Sequence, residues 1–466
     1  MTGQPRNFHF LGICGTAMGS VAAALRERGF TVTGSDENTF PPMSTFLESR
    51  GVKLNSGFRA ENIPADADVV VVGNAMKRGN PEVEAVLNRK LYYLSMPQVL
   101  QHFFMRNRHN LVVTGTHGKT TTTALLTWIM TVAGFEPSYM IGGIPKNFEQ
   151  GALFNDLKFF VIEGDEYDTA FFDKRSKFVH YLPELLIVNN IEFDHADIFR
   201  DLDQIKTSFR HLLRIVPQNG MVLLNGDDPN CVEVADESFA PMVEVGFSEN
   251  CAQQIRDVTY SSAGSCFTLG AEIFEVPLIG EFNVRNAAMA VTAARFYGAA
   301  TGKIREALTS FEGIARRQEV RGEAGGVKVI DDFGHHPTAI RQTLTALRHR
   351  YVGHRLWAIF EPRSNTTRRA IFQQQLPAAL SLADGVFISQ VARLEQIAEG
   401  ERLNPEAVVQ AIADSGRPAF YELDVAHIVD RIVPLLKPDD VVVVFSNGGF
   451  DGIHEKILAR LRALPV

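Results

Sequence analysis

Residues 112–121 read VVTGTHGKTT, an apolar strand that ends in a glycine turn and opens a helix. A turn of this kind binds phosphate, because its backbone N–H groups, here those of residues 115–119, converge on an anion at the positive end of the helix. The ammonium group of Lys119 can reach the outer phosphates of a nucleotide, and the hydroxyl of Thr120 is placed to bind Mg²⁺. The general P-loop pattern would begin with glycine at position 113, where this chain has valine, so the turn is a shorter form of that loop. The stretch predicts a nucleotide-binding α/β domain.

Size and composition limit the function classes that remain. The chain has 466 residues, more than one hydrophobic core normally supports, so several domains are expected. Its formal net charge of −8 gives no general attraction to nucleic acid or to an anionic membrane. The apolar runs are too short to span a bilayer and residues 1–30 lack a signal-peptide layout, which favours a cytoplasmic location. The 4 cysteines lie far apart without CxxC spacing, as is typical of free thiols, and the sequence gives no indication of oligomeric state.

The order of motifs predicts three α/β domains. Three times the sequence restarts with a β-rich run, a glycine turn and an amphipathic helix, the rhythm of parallel sheets covered by helices. We expect a Rossmann-like domain over residues 1–108, a central P-loop ATPase-type domain over 109–318 and a C-terminal Rossmann-like domain over 319–466. The predicted strands are 8–11, 30–33, 159–162, 185–188, 221–224, 327–330, 356–360, 385–389 and 441–445, with antiparallel strands over 258–276.

Polar side chains follow two predicted strands of the central domain. Glu163 and three further acids up to Asp168 follow one of them. Carboxylates beside a phosphate turn supply the hard oxygen ligands that Mg²⁺ prefers, although a solvated acidic loop is the alternative. Residues 189–197 follow the next strand and should emerge at the same edge of the sheet. Within them, His195 could bind a second metal ion or be only a hydrogen-bonded loop residue.

Further candidates come from the end of the central domain and from the third domain. Asn283 and Asn286 could contact the edge of a base or simply cap the helix that follows. Arg317 lies at the boundary between the two domains, where it can reach a transferring phosphoryl group on closure or form a plain hinge. Asp332 could accept from ribose hydroxyls, and His335 could donate to phosphate or move a proton.

The first domain opens with a glycine-rich turn over residues 12–19, and Ser35-Asp36 ends the next strand. This layout is typical of dinucleotide-binding domains, so an NAD-dependent oxidoreductase is one rival interpretation. Cys14 occupies the position of the second glycine in the dinucleotide pattern, which weakens that interpretation but leaves amides that can hold a diphosphate. A nucleotide-gated binding protein without enzymatic activity is the other rival.

Taken together, residues 115–120, 163–168, 194–197, 283–286 and 331–337 resemble the Mur ligase family, and the resemblance covers essentially the whole chain. It implies an ATP-dependent ligase with Mg²⁺ as cofactor. In that family's mechanism a carboxylate attacks the γ-phosphate of ATP to give an acyl phosphate, and an amine then displaces the phosphate. It also implies that the first domain binds a UDP-sugar, the second ATP and the third the amine.

The resemblance assigns site residues one by one. The residues implied in catalysis are Lys119, Glu163, His195, Arg317 and His335. The nucleotide-binding residues are Gly115, Thr116, His117, Gly118, Lys119, Thr120, Thr121, Asn283, Asn286, Arg317 and Asp332. The metal ligands are Thr120, Glu163 and His195. The UDP-sugar residues are Gly12, Gly15, Thr16, Ser35, Asp36 and Asn74. Several members carry a carbamylated lysine beside the second metal, and Lys206 does not clearly match that position, so no such role is assigned.

Two kinds of family member are relevant. The turn over 12–19 and the group 335–337 are similar to members that join UDP-N-acetylmuramate to L-alanine. Segments 360–366 and 446–454 are similar instead to members that join it to the tripeptide L-alanyl-γ-D-glutamyl-meso-diaminopimelate. A tripeptide carries several carboxylates, which need fixed cations and amide donors. The residues implied for this role are Arg363, Asn365, Ser446 and Asn447, so the tripeptide is the predicted partner and alanine the alternative.

Overall fold

The computed structural model describes residues 5–148 and 150–464, which form three α/β units, each built around its own sheet. Central strands such as Val69–Val72 and Val441–Phe445 are apolar throughout and fully buried. Parallel strands with helices on both faces require this continuous apolar pattern. The predicted fold class, an α/β chain of three domains, is therefore confirmed. The cysteines are free thiols, as predicted, and none of the helices within the described ranges is both long and apolar enough to cross a membrane.

The first unit has a five-stranded parallel sheet. Its strands are β1 (Asn7–Leu11), β2 (Thr31–Asp36), β3 (Lys53–Ser56), β4 (Val69–Val72) and β5 (Tyr93–Ser95). Its helices are α1 (Thr16–Glu27), α2 (Met43–Glu48), α3 (Pro81–Asn88) and α4 (Met96–Leu100), with a 3₁₀ turn at Ala60–Asn62 and a π-helical turn at Gln101–Met105. The strand order is β3-β2-β1-β4-β5, so it reverses beside β1. Ligands of such sheets bind at this reversal, and the turn after β1 begins there with Gly12.

The second unit has a ten-stranded sheet and a separate two-stranded hairpin. The strands are β6 (His109–Thr114), β7 (Ser138–Met140), β8 (Ala152–Leu153), β9 (Phe159–Glu163), β10 (Asp168–Ala170), β11 (Asp173–Ser176), β12 (Leu185–Val188), β13 (Met221–Asn225), β14 (Met242–Gly246), β15 (Gln253–Ser261), β16 (Gly264–Leu269) and β17 (Glu272–Val276). The helices are α5 (Lys119–Val132), α6 (Leu202–Leu213), α7 (Pro229–Val234), α8 (Glu281–Phe296) and α9 (Thr301–Thr309), with 3₁₀ turns at Lys177–His180 and Ala235–Glu237.

The order of the large sheet is β17-β16-β15-β14-β13-β12-β6-β9-β7-β8, and β10 pairs with β11 in the separate hairpin. Strand β6 is parallel to β12 on one side and to β9 on the other. In register, Thr114 lies opposite Val188, and Val113 lies opposite Glu163. The carboxyl ends of these three strands therefore meet at one edge, which brings the phosphate turn, the acids and residues 189–197 together.

The third unit has a six-stranded sheet of order β18-β19-β23-β20-β21-β22, in which only the β18–β19 pairing is antiparallel. Its strands are β18 (Glu319–Ala324), β19 (Val327–Asp332), β20 (Leu356–Phe360), β21 (Gly385–Ser389), β22 (Ala419–Glu422) and β23 (Val441–Phe445). Its helices are α10 (Pro337–Arg350), α11 (Gln375–Leu380), α12 (Pro405–Asp414), α13 (Val425–Ile432) and α14 (Ile453–Arg462). Short 3₁₀ turns lie at Ala370–Phe372, Leu394–Gln396, Glu399–Glu401, Val433–Leu435 and Phe450–Gly452.

Candidate active site

The phosphate turn, residues 115–118, joins β6 to α5 in a conformation that needs glycine. Gly118 has φ +80°, and a Cβ added there would lie 2.6 Å from Asn286 Oδ1. The side chain of Asn190 shapes the turn, since its Oδ1 accepts from His117 N at 2.7 Å and its Nδ2 donates to His117 O at 3.1 Å. The first turn of α5 has no side-chain cap and no acidic residue. Its backbone donors and its positive end therefore fit an anion such as phosphate.

Lys119 is held by a buried carboxylate that the sequence had not singled out. Its Nζ lies 2.6 Å from Gly115 O and 2.9 Å from Glu166 Oε2, and Glu166 is only 2% exposed. Burial opposes ionisation of Glu166, but the charge of Lys119 and a hydrogen bond with His195 outweigh it and lower its pKa to about 2. His195 Nε2 lies 3.1 Å from Glu166 Oε1, so Glu166 links two residues that the sequence predicted for the site. Its place among four neighbouring acids gave no signal that distinguished it from the others.

The ionisation of Lys119 and His195 follows from the same pairing. Burial lowers the pKa of Lys119, but the carboxylates of Glu166, Asp165 and Glu163 overcome this and raise it above its ordinary value. For His195, burial also favours the neutral ring, and the hydrogen bond and charge of Glu166 reverse the effect and raise its pKa. The turn therefore presents a charged ammonium group that is paired with the ionised carboxylate of Glu166.

The predicted metal ligands Thr120 and Glu163 are in direct contact. Thr120 Oγ1 donates to Glu163 Oε1 at 3.0 Å, and Gly142 N donates to the other carboxylate oxygen at 2.8 Å. Burial and the nearby charge of Asp165 raise the pKa of Glu163. Arg317 reaches this pair from the boundary with the third unit, where its Nη2 lies 3.4 Å from Thr120 Oγ1. A hydroxyl and a carboxylate at one point form an oxygen-rich pair of the kind that Mg²⁺ prefers.

The third unit docks onto the loop that carries His195. Asp194 Oδ1 accepts from Thr366 Oγ1 at 2.6 Å, and Asp194 Oδ2 lies 3.4 Å from His335 Nε2. Burial opposes ionisation of Asp194, but the hydrogen bond and charge of His335 lower its pKa well below the usual range. Asn365 Nδ2 donates to Asp197 Oδ2 at 2.7 Å. Asn365, predicted for the peptide, is therefore engaged in a contact between units.

Asp332 is buried at the hinge beside Arg317. Its two oxygens accept from Gly334 N at 2.8 Å and Gln318 N at 2.9 Å. Burial raises its pKa, and the charge of Arg317 partly offsets that effect. The guanidinium of Arg317 lies over the ring of Phe333, 4.9 Å from its centroid. Of these two residues predicted for the nucleotide, Asp332 is thus held by backbone N–H groups, and Arg317 contacts the ring of Phe333.

A cavity of about 210 Å³ lies between the second and third units. Its polar wall contains predicted residues: Thr116, His117, Gly118, Lys119, Thr120, Thr121, Glu163, His195, Asn283, Asn286, Arg317, Asp332 and His335. Gly115 is not among the residues that line the cavity, and its carbonyl oxygen accepts from Lys119 Nζ at 2.6 Å. The apolar wall of the cavity contains residues that the sequence did not predict: Leu278, Phe282, Phe311, Ile314 and Ala339. No motif marks them, because they are ordinary core residue types brought together only by the fold.

A second cavity of about 840 Å³ lies between the first and second units. Thr16, one of the residues predicted for the UDP-sugar, lines it. The other predicted residues shape the neighbouring turn: Gly12 N donates to Ser35 O at 2.8 Å, Gly15 N to Gly12 O at 3.4 Å, and Cys14 N to Asp36 Oδ2 at 2.8 Å. Asn74 Nδ2 donates to Asp168 O at 2.5 Å and so joins the two units.

The residues predicted for the peptide are not equally accessible. Arg363 has a partly exposed guanidinium 3.3 Å from Glu361 Oε1, whereas Ser446 is fully buried and its hydroxyl donates to Glu361 Oε2 at 2.5 Å. Asn447 Oδ1 is buried and finds no hydrogen-bond partner in the part of the chain that the structure describes. Lys206 lies on α6 and its Nζ is 2.5 Å from Glu233 Oε2. Arg363 is therefore the accessible cation of this group.

Comparisons with known proteins identify the same family in successive parts of the chain. Three family models match in succession: the Mur ligase family catalytic domain over residues 7–108, the Mur ligase middle domain over 113–294 and the Mur ligase glutamate ligase domain over 316–448. The chain is 47% identical over 457 residues to the UDP-N-acetylmuramate–L-alanyl-γ-D-glutamyl-meso-2,6-diaminoheptandioate ligase of Escherichia coli (strain K12), covering 97% of this chain and 98% of that protein. It is 30% identical over 468 residues to the UDP-N-acetylmuramate–L-alanine ligase of Acetivibrio thermocellus, covering 99% and 97%.

Among solved structures, the murein peptide ligase of Psychrobacter arcticus 273-4 superposes with a TM-score of 0.72 at 36% identity, covering 99% of this chain and 100% of that one. The sequence matches and the structural match thus extend over all three units. Together they show that the chain belongs to the Mur ligase family of ATP-dependent ligases, which form C–N bonds.

Proposed function

We propose that this chain joins the carboxylate of UDP-N-acetylmuramate to the amino group of L-alanyl-γ-D-glutamyl-meso-diaminopimelate, with ATP as the activating substrate. The observation that carries the proposal is that the two cavities share part of their walls. Both are lined by Thr120, Glu163, Tyr167, Arg317 and Phe333. A carboxylate that arrives through the larger cavity therefore reaches the phosphate turn that borders the smaller one. The E. coli relative is named for this tripeptide, and the A. thermocellus relative, named for L-alanine, is less similar.

In this proposal ATP occupies the smaller cavity. Its phosphates lie against the turn over residues 115–118 and the ammonium group of Lys119, and its adenine lies against the apolar wall beside Asn283 and Asn286. The buried carboxylate of Asp332 accepts from the ribose. The UDP-sugar extends from the turn after β1 into the larger cavity. The third unit holds the peptide, with Arg363 as its exposed cation.

The proposed reaction has two steps. An oxygen of the muramyl carboxylate attacks the γ-phosphorus, the bond to ADP breaks, and an acyl phosphate forms. The peptide nitrogen then attacks the acyl carbon, phosphate leaves, and the nitrogen loses a proton. Lys119 and Arg317 neutralise phosphoryl charge that would otherwise repel the attacking carboxylate, and each such positioned group contributes about 3 kcal/mol. His335, which faces Asp194 Oδ2 at 3.4 Å, is our candidate to accept the proton.

Thr120 and Glu163 fit a magnesium ion, because they offer two hard oxygen atoms 3.0 Å apart beside the phosphate turn. A bound Mg²⁺ would supply positive charge to the phosphate oxygens. We assign His195 to a second ion, a role in which Glu166 would fix the orientation of its ring. Gly142, whose N–H binds the other oxygen of Glu163 at 2.8 Å, keeps that carboxylate in place.

The test compares ADP release from the purified full chain with UDP-N-acetylmuramate and ATP, adding tripeptide, L-alanine or no amine. We expect rapid ADP release only with the tripeptide, and a new amide product detected by mass spectrometry. Equal rates with L-alanine would instead support the alanine-adding alternative. Lys119→Ala should abolish ADP formation, while Lys174→Ala, at an exposed lysine on the β10–β11 hairpin, is the matched control. Near-normal turnover in Lys119→Ala would refute the assignment of the turn.

A further inference from the structure

One cluster of metal-ligand residues lies beside the smaller cavity, and two of its three members, Glu192 and His336, have no role in the proposed reaction. It consists of His117, Glu192 and His336, whose donor atoms all lie within 4.8 Å of one another. His117 belongs to the phosphate turn and Glu192 to the loop after β12. His336 is the residue that immediately precedes α10. The cluster, called here the interdomain triad, therefore joins the second unit to the third.

The distances within the interdomain triad are too long for hydrogen bonds but suit an ion. Glu192 Oε2 lies 3.7 Å from His117 Nε2 and 3.6 Å from His336 Nδ1. Two ligand atoms bound to one tetrahedral zinc ion at about 2.0–2.1 Å are separated by about 3.4 Å. The two imidazole rings are tilted by 52° with centroids 4.5 Å apart, so they are not stacked on each other. The three donors therefore surround a common point.

Of the two ring nitrogens that face this point, that of His117 is not engaged by a described hydrogen bond, and that of His336 accepts one bond, which a metal ion would replace. His117 Nε2 is buried and has no hydrogen-bond partner among residues 5–148 and 150–464. His336 Nδ1 accepts from Thr338 N at 3.2 Å, so it carries a lone pair, and its Nε2 faces Phe193 O at 3.3 Å, where it holds the proton. A backbone carbonyl on the remote nitrogen is the usual partner that orients a metal-bound histidine. Thr338 Oγ1 likewise orients Glu192 by donating to Oε2 at 2.7 Å.

We propose that the interdomain triad binds one zinc-class transition-metal ion, with water as the fourth ligand. Two imidazole nitrogens and one carboxylate oxygen suit Zn²⁺ or Co²⁺, whereas Mg²⁺ prefers six oxygen ligands. Binding replaces the hydrogen bond from Thr338 N to His336 by a metal bond. The ion connects the phosphate turn to the third unit. On the proposed function, the bound ion therefore slows the separation of the second and third units that releases ADP. As a result, Zn²⁺ inhibits turnover in the presence of saturating Mg²⁺.

The direct test is metal binding, which does not depend on activity. The full chain, in excess Mg²⁺ to occupy oxygen-rich sites, is titrated with Co²⁺ and followed by its visible absorption. We expect one equivalent of four-coordinate Co²⁺, displaced by Zn²⁺. Glu192→Gln removes the anionic ligand but keeps an acceptor for Thr338. His336→Asn removes the imidazole but keeps a residue type that caps helices well. Both variants should lose the four-coordinate bands.

His349→Asn is the matched control. His349 also lies between the second and third units, stacked on Tyr260 with ring centroids 4.7 Å apart, but outside the triad. This variant should bind Co²⁺ as the wild type does. Circular dichroism checks that each variant is folded, and Glu192→Gln still tests the site if His336→Asn fails to fold. Identical Co²⁺ spectra in the wild type and Glu192→Gln, or no four-coordinate bands in the wild type, would overturn the proposal.

Inhibition gives the second measurement. ADP release by the wild type should fall at least tenfold at a Zn²⁺ concentration that saturates the Co²⁺-competing site, and a zinc-selective chelator should restore it. Residual turnover of Glu192→Gln should be insensitive to the same Zn²⁺ concentration, and equal inhibition of both proteins would count against the site. If no condition yields ADP, the proposed function is wrong, while the Co²⁺ spectra still decide whether the triad binds metal.

Discussion

The buried pair formed by Lys119 and Glu166 allows stability to be separated from activity. Lys119 Nζ lies 2.9 Å from Glu166 Oε2, and the two side chains are 12% and 2% exposed. Replacing Lys119 by methionine keeps the length of the side chain but leaves the carboxylate of Glu166 with His195 as its remaining charged partner. Replacing Glu166 by glutamine keeps an acceptor but removes the charge. The double variant removes both charges together.

The structure gives the expected magnitudes. Breaking a buried ion pair by removing one partner costs about 3–5 kcal/mol, and we expect the lower end for Lys119→Met because His195 still contacts Glu166. Glu166→Gln should cost about 1.5–3 kcal/mol, the value of a hydrogen bond to a charged group. The double variant leaves no uncompensated carboxylate beside a missing ammonium group. It should therefore be more stable than the sum of the single effects predicts, by about 2 kcal/mol.

Activity should not recover with stability. Without the ammonium group of Lys119, both Lys119→Met and the double variant should lose at least about 10²-fold in kcat for ADP release. Unfolding of the second unit can be followed by the fluorescence of Trp128, which lies on α5, in a Trp357→Phe background that removes the only other tryptophan. Additive losses of stability in the double variant, or recovery of activity with stability, would refute the role of Glu166 described here.

Three further predictions address the turn, the pH dependence and the hinge. Gly118→Ala should weaken ATP binding, measured by calorimetry, because a φ of +80° costs alanine about 1–2 kcal/mol and the added Cβ meets Asn286. The matched control is Gly134→Ala, where φ is +84° but an added Cβ would have no described atom within 4 Å. This control should lose stability but bind ATP normally. Because the pKa of Glu166 is lowered from 4.5 to about 2 in the folded chain, its carboxylate stabilises the fold at pH values above 4.5, and this contribution is lost as the pH falls toward about 2. Glu166→Gln should therefore flatten the dependence of the unfolding free energy on pH between 4.5 and about 2, measured by urea unfolding. Arg317→Ala should lower kcat for ADP release about 10²-fold or more, and a change under about threefold would contradict a role on the phosphoryl group.

Much of the fold could be predicted because its signals are local. Strands such as β4 and β23 are unbroken apolar runs, and the glycine turn after β6 marks the start of a helix. Strand ends were harder to predict. Strand β2 runs over Thr31–Asp36, whereas the predicted strand ended at residue 33. The prediction stopped early because the last three residues of the strand are glycine, serine and aspartate. Those residue types usually indicate a turn, and here pairing with β1 and β3 keeps them in the sheet.

The polar half of the candidate site could be predicted for a related reason. The carboxyl ends of neighbouring parallel strands share one edge, so chemistry-bearing residues after β6, β9 and β12 must meet. What sequence could not give is the pairing among them. Glu166 was one of four adjacent acids, and only the structure distinguishes the one that contacts both Lys119 and His195. The apolar wall of the smaller cavity was missed because buried leucine and phenylalanine are the commonest core residues.

The contacts of the loop over residues 194–197 suggest how the third unit influences the phosphate turn. His195 has φ +53°, an uncommon conformation for a residue with a side chain, so the loop must be held by its surroundings. Thr366 and Asn365 of the third unit hold it through Asp194 and Asp197. Because the ring of His195 contacts Glu166, which in turn holds Lys119, docking of the third unit fixes the position of the ammonium group two contacts away. We infer that displacement of the amine-binding unit would loosen this series of contacts, which would couple the cation that binds phosphate to the presence of the unit that delivers the nucleophile.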